Sequence, residues 1–105
     1  MFQLPNVKVV HLYPLPINLR WGEGKLMELC KSKMGLDPKQ GAVFLFFNRK
    51  KDRMKLFFLD ETGSQEILKI LPKGGFMLPV PMDGEKFVKI SVEKLNSLFR
   101  TGMFS

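Results

Sequence analysis

The chain has 105 residues, 45% of them hydrophobic, including ten Phe and a single Cys. That content suits one domain with a real core and excludes a disordered chain or a disulfide-stapled miniprotein. The formal net charge is +7, and residues 1–60 hold eleven Lys or Arg against five Asp or Glu, an excess that favours a polyanionic partner or an acidic protein surface.

In chain order, residues 7–13 are β-branched and aromatic and predict a strand, broken by Pro14 and Pro16. After Gly22 and Gly24, the stripe Leu26, Leu29, Cys30 and Met34 has helical spacing, with Gly35 and Pro38 as stop signals. Residues 42–48 and 53–60 are both strand-like, with only Arg49-Lys50-Lys51-Asp52 between them, which predicts a β-hairpin. Symmetric pairing about that loop sets Asn48 opposite Arg53, Phe46 opposite Lys55 and Phe44 opposite Phe57. One face then carries Val43, Leu45, Phe47, Met54, Leu56 and Phe58, and must be core. The other carries Phe44, Phe46, Phe57, Asn48, Arg53 and Lys55.

Asp60-Glu61-Thr62-Gly63 reads as a turn before a third strand at 65–71, and Lys73-Gly74-Gly75 as a turn before an edge strand at 76–80, which carries Pro79. Residues 86–90 predict a last short strand. Ser91 predicts the N-cap of a closing helix bearing Leu95, Leu98 and Phe99, ended by Gly102. The fold class expected is α+β, a single domain over residues 1–105. Its sheet is a mainly antiparallel meander of about five or six strands, with one helix after the first strand and a C-terminal helix, both packed on one side.

Catalytic chemistry has little to stand on, and the chain reads as a non-enzyme without cofactor or metal. Asp37, Asp52, Asp60, Glu61, Glu66 and Asp83 are explained as turn residues and surface charges. His11 is the only histidine, too few ligands for zinc, and Cys30 falls on an apolar helix stripe where thiols are buried and inert. Gly22-Glu23-Gly24 precedes no Lys-Ser or Lys-Thr and is not a P-loop. No apolar stretch approaches the roughly 20 residues that span a bilayer, and the N-terminus lacks the pattern of a signal peptide, so a soluble cytoplasmic protein is expected.

The hairpin is the candidate functional surface. Arg49, Lys50, Lys51, Arg53 and Lys55 place five positive charges within seven residues, and Phe44, Phe46 and Phe57 share a sheet face with two of them. Cations neutralise phosphates and exposed rings stack on unpaired bases. The competing reading covers that face with a helix, making the three Phe core and the loop a solvated tip. Arg20 and Lys69 are further candidate nucleic-acid contacts.

The segments Leu36-Asp37-Pro38-Lys39-Gln40-Gly41 and Phe44-Leu45-Phe46-Phe47-Asn48-Arg49-Lys50-Lys51-Asp52-Arg53-Met54-Lys55, followed by Asp60 and Gly63, resemble one family signature. It is that of the accessory second-open-reading-frame protein of insertion-sequence-66 elements, the TnpB-like protein of that group, which is distinct from the RNA-guided nuclease of that name. Asn18-Leu19-Arg20-Trp21-Gly22, then Lys69, Leu71, Gly74, Phe76 and Pro79, and the closing Ser91, Leu95 and Leu98 extend the resemblance over residues 7–102. Asn18, Leu59, Ile70, Pro72 and Leu78 depart from the family pattern. The resemblance implies an accessory protein of a bacterial insertion sequence, assisting DNA transposition beside a separate transposase. Its expected partners are DNA, the transposase and other proteins of the same element. The alternative is a protein-interaction module docking through the hairpin and the 76–80 edge, without nucleic-acid binding. Nothing in the residues specifies oligomeric state.

Overall fold

The computed structural model describes residues 9–39, 41–79 and 81–102. Five strands form one sheet: β1 (Val9–Leu12), β2 (Ala42–Phe47), β3 (Arg53–Asp60), β4 (Gly63–Ile70) and β5 (Val88–Ile90), in the spatial order β4-β3-β2-β1-β5. Helix α1 (Glu23–Ser32) connects β1 to β2, and α2 (Val92–Thr101) follows β5. The β1–β2 pair is parallel, as a strand–helix–strand crossover requires, and the other three pairs are antiparallel. The mainly antiparallel α+β expectation therefore holds, with a parallel pair at its centre.

The hairpin register is the one its four-residue loop predicts, with Phe46 opposite Lys55 and Phe44 opposite Phe57. The expected edge strand at 76–80 is absent over residues 76–79, and Val80 lies outside the described residues. The Phe76 N–H is spent on the Lys51 carbonyl (2.6 Å) and the Met77 N–H on that of Gly102 (2.8 Å), so this segment ties other elements together instead of joining the sheet. The first strand is shorter than the predicted 7–13, and residues 7 and 8 lie outside the described residues.

The helices lie on opposite faces of the sheet, not on one side. Leu95 and Leu98 of α2 pack with Val10, Leu12, Val43, Leu45, Met54, Leu56 and Ile90. Leu26 and Cys30 of α1, with Met34 just beyond it, pack with Tyr13, Phe44, Phe46 and Phe57. Alternate residues of β2 feed the two clusters, and its run Ala-Val-Phe-Leu-Phe-Phe has no polar position because both faces are covered. Phe44, Phe46 and Phe57 are each at most 1% exposed, which contributes on the order of 2–3 kcal/mol apiece.

Local chemistry sets the helix ends. Ser91 Oγ accepts the Lys94 N–H (3.2 Å) as N-cap of α2, and Gly102, at φ 75°, returns its N–H to the Leu98 carbonyl (2.9 Å). α1 starts without a side-chain cap at Gly22, and Gly35 takes φ 68° just beyond its end.

Candidate nucleic-acid interface

The β2–β3 loop is held rigidly by its own side chains. Asn48 Nδ2 donates to Asp52 Oδ1 (2.7 Å), while Asn48 Oδ1 accepts the Arg53 N–H (3.1 Å). The Lys51 N–H bonds the Asn48 carbonyl (3.0 Å), and Lys51 itself adopts φ 59°. Asn48 thus closes the turn from both sides and leaves Arg49, Lys50 and Lys51 exposed at the tip, with exposed Arg53 at its base.

A second segment is docked under this tip. The Leu71 N–H donates to the Asp52 carbonyl (2.8 Å) and the Phe76 N–H to the Lys51 carbonyl, with buried Phe76 as anchor. Gly75 passes so close that a Cβ would stand 3.2 Å from the Lys51 carbonyl oxygen. Between these ties sits exposed Lys73, which sequence reading overlooked. Its neighbours Leu71 and Phe76 are tied to Asp52 and Lys51, a long-range arrangement with no signal in the local sequence.

A third segment reaches the same end. The Ile17 N–H bonds the Phe47 carbonyl (2.9 Å), and the turn at residues 18–21 follows, with Asn18 Oδ1 accepting the Arg20 N–H (2.9 Å) and Arg20 exposed. Arg49, Lys50, Lys51, Arg53, Lys73 and Arg20 therefore gather at one end of the sheet. Among the described residues none of these six has a carboxylate partner. Lys69 lies on β4 opposite Met54 and is half-buried on the α2 face.

Lys55 stands apart from the residues grouped with it in the sequence. It is buried at 9% exposure, its Nζ donates to the Leu19 and Trp21 carbonyls, and it pairs with Glu66 at 2.9 Å. Its charge is consumed inside the fold, holding the 18–21 turn onto the sheet. The three Phe considered for base stacking are likewise unavailable, because α1 covers them.

The remaining chemistry-bearing side chains do not converge. Burial pushes the Cys30 thiol up to about 12. His11 lies in the α1-face layer, stacked on Phe44 at 5.5 Å and edge-on to Phe87 at 5.0 Å, and burial lowers its pKa. Asp60 is held below the usual carboxylate range by the Gln65 amide (2.6 Å) and by the N–H and hydroxyl of Thr62, the work of a turn residue. Among the described residues, no three His, Cys, Asp or Glu come together as metal ligands, and no helix is long and apolar enough to cross a membrane.

The pattern of the family described as "IS66 Orf2 like protein" matches residues 8–103, a span that includes every element of the basic end. The uncharacterized protein y4jC of Sinorhizobium fredii (strain NBRC 101917 / NGR234) is 32% identical over 69 residues, which cover 66% of this chain and 59% of that relative. The aligned segment thus spans less than two thirds of the curated relative's length. No solved structure matches the chain. On a match from the first strand through the closing helix, the chain belongs to the IS66 Orf2-like family, the accessory proteins of insertion sequences.

Proposed function

We propose that this accessory protein assists transposition as a non-catalytic factor that holds DNA through its phosphates, using the basic end of the sheet. One observation carries the reading: three chain segments converge there to present Arg49, Lys50, Lys51, Arg53, Lys73 and Arg20, exposed and, among the described residues, without carboxylate partners. Such a cluster repels itself when free and is relieved by a polyanion. Phe44, Phe46 and Phe57 are buried beneath α1, and the half-buried Trp21 ring carries the Lys25 ammonium 4.9 Å from its centre, so the interface offers cations rather than a stacking platform. It therefore reads backbone charge, independent of base sequence and without preference for unpaired bases.

The test is a gel-shift titration at several salt concentrations with wild type and the triple variant Lys50→Ala/Lys51→Ala/Arg53→Ala. Each lost phosphate contact removes about 0.9 from the slope of log affinity against log salt, so the variant's slope should be flatter by about three units. The variant should remain folded, since these side chains sit at an exposed loop. No binding by folded wild type at low salt, to single or double strands, would overturn the reading.

A further inference from the structure

β4 is an edge strand of eight residues that, among the described residues, pairs with β3 alone. The opposite edge, β5, has three residues and exposed Lys89, a short charged edge of the kind that discourages pairing. β4 has neither device: it runs in unbroken register with β3 and carries no proline. The bond from the Leu71 N–H to the Asp52 carbonyl sets the alternation on β4. Residues 69, 67, 65 and 63 turn their backbone groups toward β3, so Ser64, Glu66, Leu68 and Ile70 direct theirs away from the sheet. The side chains of these same four share the α1 face, where Leu68 and Ile70 are 48% and 49% exposed.

Charge along this edge changes sign from end to end. At the end nearest the β3–β4 turn, Glu23 accepts the Ser64 hydroxyl, Asp60 accepts the Gln65 amide, and Glu61 is exposed. At the other end stand Lys69, then Arg53 opposite Ile70, and Lys73 just beyond the strand. Glu66, between them, is matched by Lys55. Among the described residues, none of these end groups has an ion-pair partner. An incoming strand of one sign therefore meets repulsion at one end, and a parallel copy of β4 sets like on like at both. An antiparallel copy of β4 brings the acidic end of each strand to the basic end of the other, twice over.

We propose that a second copy of this chain adds to the β4 edge, antiparallel about a two-fold axis, joining two five-stranded sheets into one. The four outward residues meet the same four in reverse order, Ser64 beside Ile70 and Glu66 beside Leu68, with Ile67 on the axis. Each Leu68 lies diagonal to the other and loses exposed apolar surface. On the α2 face, Lys69 stands opposite Gln65 of the second copy, next to the Asp60 carboxylate that holds that amide. The antiparallel junction also sends the two hairpin tips to opposite ends of the joined sheet. Repulsion between two chains of net charge +7 is screened beyond about 8 Å at physiological ionic strength. The junction is independent of whether the basic end holds DNA.

The test is sedimentation velocity on the full chain, free of nucleic acid, from about 1 μM to 1 mM, the range that suits an interface below standard size. Amide hydrogen exchange is followed over the same series. Wild type should show a monomer–dimer equilibrium, with exchange at Glu66, Leu68 and Ile70 slowing as dimer accumulates. Lys69→Glu sets a like charge beside Asp60 in both symmetry-related contacts and should weaken the dimer about tenfold. Adding Gln65→Lys to that variant restores opposite charges across the junction and should recover the dimer. Leu68→Pro removes one outward N–H while leaving the β3 ladder paired, and should abolish it; the charge reversal and its rescue keep the test decisive should the proline variant not fold. The proposal is overturned by a chain that stays monomeric throughout, by folded variants that dimerise like wild type, or by protection that falls outside β4. Exchange at β4 that slows only when the element's transposase is added would overturn it too and give the edge to that protein.

Discussion

Replacing Lys55 by Ala separates the structural cation from those offered to a ligand. Its ammonium donates to the carbonyls of Leu19 and Trp21 and lies 2.9 Å from the Glu66 carboxylate. A buried hydrogen bond to a charged group contributes about 1.5–3 kcal/mol, and its loss here orphans backbone acceptors. The Glu66 side chain is 29% exposed and rehydrates when unpaired, so the ion pair itself adds no more than about 1 kcal/mol. The net loss should be about 2–4 kcal/mol, which for a domain of this size lowers the melting temperature by on the order of 10–20 °C. Lys50→Ala should instead leave stability within about 0.5 kcal/mol and flatten the salt slope for DNA by about one unit. Urea and thermal melts by circular dichroism, beside salt-titrated gel shifts, measure both quantities for both variants. A Lys55→Ala protein that melts with wild type and loses a unit of salt slope would refute the assignment of Lys55 to the interior.

Leu56→Asp places a charge at a fully buried position in the α2-face core and should unfold the domain, seen as loss of a cooperative melt. Cys30→Ala should cost about 1–2 kcal/mol of stability by denaturant titration and leave transposition in place, because the side chain only packs against Leu26, Met34 and the sheet. With its thiol pushed up to about 12, Cys30 in the folded chain should react with thiol reagents at neutral pH far more slowly than after unfolding. His11 has its pKa lowered in the fold, so the unfolded chain binds the proton first. Its contribution to stability is intact above the unfolded value of 6.5 and is lost as pH falls below it toward the folded value. The urea midpoint of wild type should therefore drop on acidification just below pH 6.5, and His11→Leu should remove that part of the drop.

Much of the local architecture is legible in short stretches of sequence. The four-residue loop between two apolar runs defines the hairpin register down to Phe44 opposite Phe57, because loop length and a period of two leave few alternatives. Ser91 and Gly102 mark the ends of α2 through a side-chain cap and a positive φ, and the Leu26, Cys30 and Met34 stripe marks the buried side of α1. The exposure of Phe44, Phe46 and Phe57 was open, although the unbroken apolar run of β2 already carried the signal of a strand covered on both sides.

Residues 76–79 show the limit of that reading, since a β-prone composition does not say which donors are already engaged. Phe76 and Met77 give their N–H groups to Lys51 and Gly102, partners 25 residues away in both directions. The placement of α1 and α2 on opposite faces, the parallel β1–β2 pair and the internal pairing of Lys55 are likewise long-range outcomes. The sequence by itself determined the hairpin, the helix ends, the excess of positive charge and the family pattern, because each rests on spacing or backbone preference within a few residues. Only the tertiary structure decided which cations face solvent and that Lys73 and Arg20 join the hairpin tip. Those properties depend on which distant segments compete for the same faces and the same backbone hydrogen bonds.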